Sequence, residues 1–590
     1  MSIIITGRFN KQVLNQPLGS FRFISFRALS RKEVSLVRSI GLKRFYLPPF
    51  TKEESDNFFF EFDKFWDEIL LNFNSQHNFW RNAVSSKMQE WEKSVGYFCM
   101  VLFALHKMKN SQMDLILICD TVQMETACIK WAKKYGWDVI GDDSLWHRIA
   151  MRFMQEMKNG RSFFLRLSFT IYKKILLIGL KNKKDTGEPK VLISSLFYKD
   201  SFKSGQYKDP VFGSLHAHIK KEGLNCVYLC EGLNAFDRNT VKAALHCRDV
   251  QIYTPLLLIT FWQIVTIFAK LYSRRIRIPT VRYMGVDFTS VIKSNLNSFN
   301  DSFNVNSEFF FFATLKLCKR YDFQQLICNF EGNVHERACI QAFRKCNGGK
   351  IIGYSQAILF PLNLKLRLTN QECFLKPEPD VFVCTGPYAK ELLQRMGSRR
   401  PEVFRQGCIL RNLPAVASHQ NLQNSRKILI VFDGMASTAI LLDWILEQSS
   451  RLQDFEVHLR FHPNMPACRV LNQITFSLPS NFRISENDIL EDMNKSVCVF
   501  YRHSSVGILA ILNGIPAVYL NIDSPLSGDP IAELSAYKWV VASAVEMTNT
   551  IVAIQARNKQ EDKKLLLQAR RFINRYFSEL TETELESFIN

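Results

Sequence analysis

The last third of the chain alternates short, uninterrupted apolar runs with segments whose apolar residues recur at helical spacing. Such runs are typical of strands that are buried on both faces of a parallel sheet. We therefore predict an open parallel α/β sheet, followed by C-terminal helices, over residues 425–590. Its strands are predicted at 427–432, 456–461, 482–484, 497–501, 516–520 and 539–541, with helices at 437–450, 489–494, 506–512 and about 558–588.

A similar but less regular alternation occupies residues 188–415. The polar stretch 412–426 that follows has no periodicity and is predicted to be a linker. The two halves together predict an α/β fold in which two Rossmann-like domains face each other across a cleft. Within 188–415, strands are predicted at 191–197, 226–230, 325–330, 350–354 and 379–384, with helices at 216–222, 254–272 and 336–345.

Residues 1–145 are rich in aromatic side chains and are predicted to form an N-terminal mixed α/β extension, with helices at 53–73 and 91–108. An apolar run at 115–120, a helical segment and a second run at 137–140 predict a βαβ unit. Residues 146–187 are basic and are predicted to be a helical linker. Their lysines fit either a solvated face or a patch for an anionic surface.

Residues 254–272 (TPLLLITFWQIVTIFAKLY) have about the length of a membrane span. Gln263 and Lys270 within the segment, and the basic stretch 273–277 after it, favour a buried or interfacial helix over a span. No basic segment precedes the apolar run near the N-terminus, so no secretory signal is predicted. We expect a cytoplasmic protein in peripheral contact with the cytoplasmic face of the inner membrane.

The composition narrows the class of protein. The 590 residues carry 76 Lys and Arg against 55 Asp and Glu, and the formal charge of +21 indicates an anionic partner. The 15 cysteines are scattered without a C-x-x-C pair, which argues against a disulfide scaffold or a zinc ribbon. Because the sequence contains no recognisable nucleic-acid-binding module, the expected partner is a phosphorylated substrate or a membrane rather than nucleic acid.

Two polar motifs follow predicted strands of the C-terminal sheet, Arg-Phe-His-Pro at 460–463 and Arg-His-Ser-Ser at 502–505. Ligands of an open parallel sheet bind beyond the carboxyl ends of its strands. Imidazole and hydroxyl groups can bind phosphate oxygens there, although a turn histidine and a capping serine serve purely structural roles equally well. The predicted phosphate ligands are His462, Ser504, Ser505, Arg460 and Arg502.

Acidic residues follow other predicted strands. Glu331 precedes Gly332 at the end of the strand 325–330, where a carboxylate facing the cleft could take a proton from an attacking hydroxyl. Glu336 begins the next helix, and a capping arrangement would also explain both acidic residues. Asp433 and Gly434 form a second acidic-glycine pair, which we interpret as a turn that lines the cleft.

The pairs Glu331-Gly332, His462-Pro463 and Ser504-Ser505 resemble the motifs of bacterial GT-B glycosyltransferases of capsule, O-antigen and lipopolysaccharide synthesis, the sialyltransferases and Kdo transferases in particular. The resemblance covers about residues 320–530. The sialyltransferase motif usually has two acidic residues before its glycine, whereas Phe330 stands at the first of these positions here. The resemblance implies transfer of a sugar from a nucleotide-activated donor, with CMP-linked sugars as one candidate, to a hydroxyl of a surface polysaccharide or lipopolysaccharide precursor.

The resemblance also implies roles for individual residues. His462, Ser504 and Ser505 would hold the donor phosphate, and Glu331 would deprotonate the acceptor hydroxyl. GT-B enzymes generally need no metal, so we expect no metal site and no cofactor beyond the nucleotide-sugar, with a glycan or lipid-linked acceptor as the second substrate. Two alternatives stay open: a CDP-polyol phosphotransferase of the teichoic-acid type, and a non-catalytic membrane-surface assembly protein with a GT-B-like fold.

Overall fold

The computed structural model of the protein contains three large parallel sheets flanked by helices, formed by the N-terminal, middle and C-terminal parts of the chain. The two predicted Rossmann-like domains are confirmed, and the N-terminal extension contains a parallel sheet of its own. The structure describes residues 2–6, 21–26, 29–73, 79–87, 94–109, 113–140, 145–180, 187–203, 205–232, 237–273, 278–297, 302–346, 349–375, 378–410, 425–435 and 437–589.

The C-terminal sheet has six strands, and every neighbouring pair in it is parallel. Numbered along the domain, the strands lie in the order 3-2-1-4-5-6, which is the doubly wound order of dinucleotide-binding folds. The order reverses between the first and the fourth strand, and a ligand crevice is expected there. The strands are Lys427–Val431, Glu456–Arg460, Phe482–Ile484, Val499–Tyr501, Ala517–Leu520 and Lys538–Val541, and the helices are Thr438–Glu447, Ala467–Leu471, Ile489–Asn494, Val506–Leu512, Ala544–Gln555, Lys559–Tyr576 and Glu582–Glu586.

The middle sheet repeats this arrangement with seven parallel strands in the order 3-2-1-4-5-6-7. Its first and fourth strands are again neighbours, so a second crevice is expected at their carboxyl ends. The strands are Val191–Phe197, Cys226–Gly232, Gln251–Tyr253, Gln325–Asn329, Lys350–Ser355, Val381–Cys384 and Phe404–Gln406, and the helices are Leu215–Lys221, Arg238–Leu245, Pro255–Leu258, Phe261–Ser273, Ser302–Arg320, Val334–Cys346, Asn370–Leu375 and Pro387–Gln394.

The predicted helix 254–272 is two helices rather than one, because Ile259 between them is extended. Thr260 and Gln263 then form a reciprocal cap: the Thr260 N–H donates to Gln263 Oε1 at 2.9 Å, and the Gln263 N–H donates to Thr260 Oγ1 at 3.1 Å. Within the part of the chain that the structure describes, no helix is both long and apolar enough to cross a bilayer.

The N-terminal sheet has five parallel strands, with Ser2–Thr6 between the two strands of the predicted βαβ unit. Its core contains stacked aromatic side chains of the helix Lys52–Phe73, and the middle domain contributes to it through the helix Thr289–Leu296 and the hairpin before that helix. The strands are Ser2–Thr6, Arg22–Ser25, Lys43–Arg44, Leu115–Ile118 and Asp138–Ile140, and the helices are Arg31–Ser39, Lys52–Phe73, Val95–Lys107 and Val122–Lys134.

One segment that precedes the middle domain in the sequence and one that follows it both pack on that domain. The predicted basic linker forms the single helix Leu145–Leu176, whose Phe163 ring lies 5.5 Å from that of Phe268. At the other end, Phe588 is fully buried in the middle core, 5.3 Å from the ring of Tyr354. The chain returns to the middle domain within the helix Lys559–Tyr576, whose Phe572 ring lies 4.6 Å from that of Tyr388. Of the predicted linker 412–426, residues 412–424 lie outside the described part of the chain.

Candidate functional site

Four turns meet at the point where the strand order of the C-terminal sheet reverses. They follow the first, second, fourth and fifth strands of that sheet, at residues 432–435 with 437–438, 461–465, 502–505 and 521–529. Because parallel strands end at the same edge of a sheet, residues far apart in sequence become neighbours here. Hydrogen bonds and ring contacts between these turns define the candidate site.

Asp433 lies at the base of the site and is almost fully buried. Its Oδ1 accepts hydrogen bonds from the Met435 N–H at 3.1 Å and from Thr438 Oγ1 at 2.9 Å. Its Oδ2 lies 3.6 Å from Arg502 Nε and 3.3 Å from His503 Nδ1. Burial alone would raise the pKa of Asp433, but His503 and the charge of Arg502 outweigh it and lower the pKa. The group is therefore a carboxylate at neutral pH.

Arg502 is only 1% exposed, so its guanidinium lies beneath the surface of the site. Its Nη1 donates to the Ile522 carbonyl at 3.0 Å, and its Nη2 donates to Ser437 Oγ at 2.6 Å. Together with Asp433, these partners tie the turns after the first, fourth and fifth strands to one another. The structure therefore places Arg502, which was predicted to be a phosphate ligand, among the buried groups that support the site.

His503 is buried beside Arg502, with a backbone φ of +47°. Its Nε2 lies 3.2 Å from Ser524 Oγ, and its ring stacks on Phe360 of the middle domain at 6.1 Å. Gly528 fits against the ring so closely that a Cβ at position 528 would overlap the imidazole. Burial lowers the pKa of His503 more than Asp433 raises it. His503 is therefore held in one orientation from several sides.

His462 is the exposed histidine of the site. Its ring lies across the turn at Gly434, where a Cβ would be 2.8 Å from Nδ1, so only glycine leaves room for it. Nδ1 accepts a hydrogen bond from the Asn464 N–H at 3.1 Å. The neutral ring consequently carries its proton on Nε2, where it can be donated to a ligand oxygen. Burial lowers the pKa of His462, and the charge of Asp433 opposes this only in part.

Ser504 and Ser505 are partly exposed at the same edge. Ser504 Oγ accepts a hydrogen bond from the Val506 N–H at 3.3 Å, which leaves its O–H as a donor. Ser505 precedes the helix Val506–Leu512, but its side chain makes no capping hydrogen bond to that helix. The two hydroxyls and His462 Nε2 are thus the hydrogen-bond donors that the predicted phosphate ligands bring to the open face.

Arg460, also a predicted phosphate ligand, does not join His462, Ser504 and Ser505 at the open face. Its Nη1 lies 3.4 Å from Asp492 Oδ2 and also donates to the Asn487 carbonyl. Lys427 Nζ lies 3.3 Å from the other carboxylate oxygen of Asp492. Since Asp492 is fully buried and compensated by both cations, Arg460 belongs to an ion-pair cluster beside the helix Ile489–Asn494.

Glu331 occupies the matching position in the middle domain, after the fourth strand of its sheet. Its Oε1 accepts hydrogen bonds from Asn329 Nδ2 at 3.1 Å and from Gln356 Nε2 at 3.3 Å, and the side chain is half-buried. Gly332 follows with φ +78°, and a Cβ there would be 2.5 Å from the Lys365 carbonyl. The glycine therefore allows the turn that presents Glu331.

Glu336 is buried and supports the same turn. Its Oε2 accepts hydrogen bonds from the N–H groups of Glu331 and Asn333, both at 2.8 Å, and its Oε1 accepts one from Asn333 Nδ2 at 2.8 Å. Burial raises the pKa of Glu336. These bonds are the capping arrangement that the sequence had left as an alternative, and they assign Glu336 to the support of Glu331.

The loop 356–362 joins the two crevices. At its start, Gln356 bonds Glu331, and further along Phe360 stacks on His503. The Leu362 N–H then donates to the Ser527 carbonyl at 3.1 Å. The carboxyl edges of the two sheets therefore face each other through this loop. The sequence offered no signal for Phe360, Ser524 or Gly528, whereas His503 could have been chosen because it adjoins the Ser-Ser pair.

The resemblance of the chain to known proteins is weak. No family model matches the sequence, and no curated protein does. Similar solved structures include the lipopolysaccharide outer core galactosyltransferase WaaB (8% identity, TM-score 0.38), MurG of Acinetobacter baumannii (11%, 0.36) and a UDP-GlcNAc 2-epimerase of Neisseria meningitidis (11%, 0.36). Each match covers 65–68% of this chain and 97–98% of the other. The function of the protein is therefore inferred from the residues of the site.

Proposed function

We propose that the protein is a glycosyltransferase that moves a sugar from a nucleotide-activated donor to a hydroxyl of a surface polysaccharide or lipopolysaccharide precursor. One observation carries the proposal. His462, Ser504 and Ser505 present donors at the reversal point of the C-terminal sheet, above the buried group of Asp433, Arg502 and His503. An oxyanion that develops on a phosphate at this edge would be met by fixed hydrogen-bond donors.

The proposed chemistry is stabilisation of the leaving nucleotide. As the bond between sugar and phosphate breaks, negative charge grows on the phosphate oxygens, and hydrogen bonds to them strengthen. His462 Nε2–H and the hydroxyls of Ser504 and Ser505 would supply these bonds. Loss of one such donor typically lowers kcat by about 10²–10³-fold.

Glu331 is the proposed general base. Both amide donors bond its Oε1, so Oε2 is the oxygen that would take the proton of the acceptor hydroxyl. The loop 356–362 supports this assignment, because it connects Glu331 to the phosphate side of the site through Gln356 and Phe360. A positioned base of this kind contributes about 10²–10⁴-fold to the rate.

The first test is a thermal-shift and calorimetric screen of the full chain with CMP, CDP, UDP and GDP. Stabilisation by CMP is the result expected from the CMP-linked donor class, and the corresponding nucleotide-sugars are then tested for transfer. Stabilisation by CDP with transfer of a polyol phosphate would instead identify a phosphotransferase. If no nucleotide stabilises the protein, the proposed function is wrong.

Paired variants test the residues. His462→Ala should lower kcat by about 10²-fold or more, whereas His458→Ala, on the strand just before it and paired with Glu456 at 2.8 Å, should leave kcat unchanged. Glu331→Gln should abolish transfer without weakening nucleotide binding, and Glu402→Gln, at an exposed position of the same domain, is its control. We further propose that transfer needs no divalent metal, and loss of activity in EDTA that Mg²⁺ restores would contradict this.

A further inference from the structure

Two helices of the middle domain present apolar side chains to solvent. They are Leu145–Leu176 and Phe261–Ser273, which pack together through Phe163 and Phe268 at 5.5 Å. We call the exposed apolar side chains of this pair the aromatic face. They are 41–77% exposed, and the principal ones are Phe164, Leu165, Phe169, Tyr172, Phe261 and Trp262.

The spacing of these residues shows that the exposure follows from the sequence pattern. Leu165, Phe169 and Tyr172 recur at intervals of four and three, and Phe164 lies beside them on the same side of the helix Leu145–Leu176. The opposite side is also apolar, and Phe163 is buried against the neighbouring helix. A helix that is apolar on two sides needs a second contact in addition to the protein core.

Basic side chains predominate around the aromatic face. The sequence contains no Asp or Glu between Glu156 and Asp185, and none between Asp249 and Asp287. Within these acid-free stretches, Lys158, Arg161 and Lys270 are exposed on the two helices. A second copy of the chain would bring like charges together at such a surface, whereas an anionic surface is complementary to it.

We propose that the aromatic face docks the protein on an anionic lipid bilayer, with both helices lying in the interface. Tryptophan and tyrosine favour the level of the lipid headgroups, where an apolar ring and a polar edge are both accommodated. Trp262 is 77% exposed, and Tyr172 stands on the other helix of the face. The cations Lys158, Arg161 and Lys270 add attraction to anionic headgroups. None of these residues belongs to the candidate site.

The position of the aromatic face indicates how a lipid-linked acceptor would reach the candidate site. This consequence, unlike the docking itself, rests on the proposed function. Lys174 Nζ donates to the Leu256 carbonyl at 2.8 Å, which fixes the long helix against the middle domain. The preceding residue, Lys173, interacts electrostatically with Glu231. Glu231 lies near the carboxyl end of the strand Cys226–Gly232. Parallel strands of the same sheet end at the edge that presents Glu331. A lipid-linked acceptor held in the bilayer would therefore reach the protein beside this edge.

Vesicle flotation of the full chain tests the docking. Vesicles of phosphatidylcholine mixed with phosphatidylglycerol should carry the protein, and vesicles of phosphatidylcholine alone should carry much less. Neutralising two cations, Lys158→Gln with Arg161→Gln, should weaken binding about thirtyfold. Phe169→Ser with Trp262→Ser should weaken it at least about tenfold. The control Val552→Ser with Leu567→Ser removes two apolar side chains of C-terminal helices that are 54–56% exposed, and it should not change binding.

The outcomes separate the alternatives. Equal flotation on neutral and anionic vesicles, or unchanged binding of both pairs of variants, would overturn the proposal. So would sedimentation that shows self-association of the wild-type chain, lost in the variants, together with no binding to vesicles. Circular dichroism and the nucleotide thermal shift of the same variants report the fold and the phosphate site separately. Docking can therefore fail while the proposed function stands, and the reverse also holds.

Discussion

Replacing Asp433 by Asn tests the support of the candidate site with a change of a single charge. Oδ1 of the new amide can still accept hydrogen bonds from the Met435 N–H and Thr438 Oγ1, so the turn after the first strand is preserved. The change falls on the Oδ2 side, which faces Arg502 at 3.6 Å and His503 at 3.3 Å. The substitution thus leaves a buried guanidinium without its counter-charge.

The expected magnitude follows from the surroundings of Arg502. Removing one partner of a buried ion pair costs about 3–5 kcal/mol. Arg502 keeps its hydrogen bonds to the Ile522 carbonyl and to Ser437, which places the expected cost near the lower value, about 3 kcal/mol. Since about 1.4 kcal/mol is a factor of ten, the equilibrium for local opening should rise about 150-fold.

Amide hydrogen exchange is the suitable assay, because a chain with three sheets does not unfold in one two-state transition. Protection of residues 499–512, which include the fourth strand of the C-terminal sheet and the helix after it, should fall about two orders of magnitude in Asp433→Asn. Asp454→Asn removes the same charge from an exposed position in the same domain and should leave protection unchanged. A loss of less than about threefold, or an equal loss in the control, would refute the reasoning.

The pH dependence gives a second check of the same substitution. The pKa of Asp433 is lower in the folded protein than its ordinary value, so its stabilisation is fully present above the unfolded-state pKa of about 3.9. That stabilisation is lost as the pH falls through the lower folded-state pKa. The difference in protection between wild type and variant should therefore hold from about pH 8 to about pH 5. A difference that disappears between pH 7 and pH 5 would point to His503 instead.

Three further substitutions have defined outcomes. Gly528→Ala should displace the His503 ring, and nucleotide affinity measured by calorimetry should fall about tenfold or more while the far-UV spectrum is kept. Burial raises the pKa of Asp209 to about 6, so the wild type should lose about 3 kcal/mol of stability as the pH rises from about 4 to about 6. In Asp209→Asn, the amide hydrogen exchange of residues 191–197 should not show this pH dependence. Glu336→Gln places an amide N–H₂ group next to hydrogen-bond donors that the carboxylate accepts from in the wild type. Hydrogen exchange of the Glu331 N–H should therefore accelerate by about tenfold or more.

The two large sheets could be predicted because their central strands are continuous apolar runs, as at Lys427–Val431 and Val191–Phe197. The strand Ser2–Thr6 was missed, since Ile3 pairs with Leu115 and no local pattern reports such a distant partner. The break before the helix Phe261–Ser273 was also missed, but the sequence does contain its signal. Thr260 and Gln263 have the spacing of a capping box within an otherwise apolar segment.

The residues of the candidate site that could be predicted are those that directly follow strands. His462 and the Ser-Ser pair follow neighbouring strands, and the structure places them at one edge. The sequence could not distinguish Arg460 from Arg502, because Arg460 ends one strand, Arg502 follows another, and only the packed structure shows the carboxylate that each faces. Arg460 faces Asp492, and Arg502 faces Asp433.

The return of Phe588 to the middle core makes assembly of the chain depend on the order of synthesis. The last strand of the middle sheet ends at Gln406, so its core lacks this ring until the whole C-terminal domain has been made. At about 5–20 residues per second, the delay is on the order of 10–40 s. The N-terminal core likewise waits for the helix Thr289–Leu296 from the middle domain. The middle core is therefore completed after the C-terminal domain that follows it in the sequence, and apolar surface of the middle domain stays open while the C-terminal domain is being synthesised.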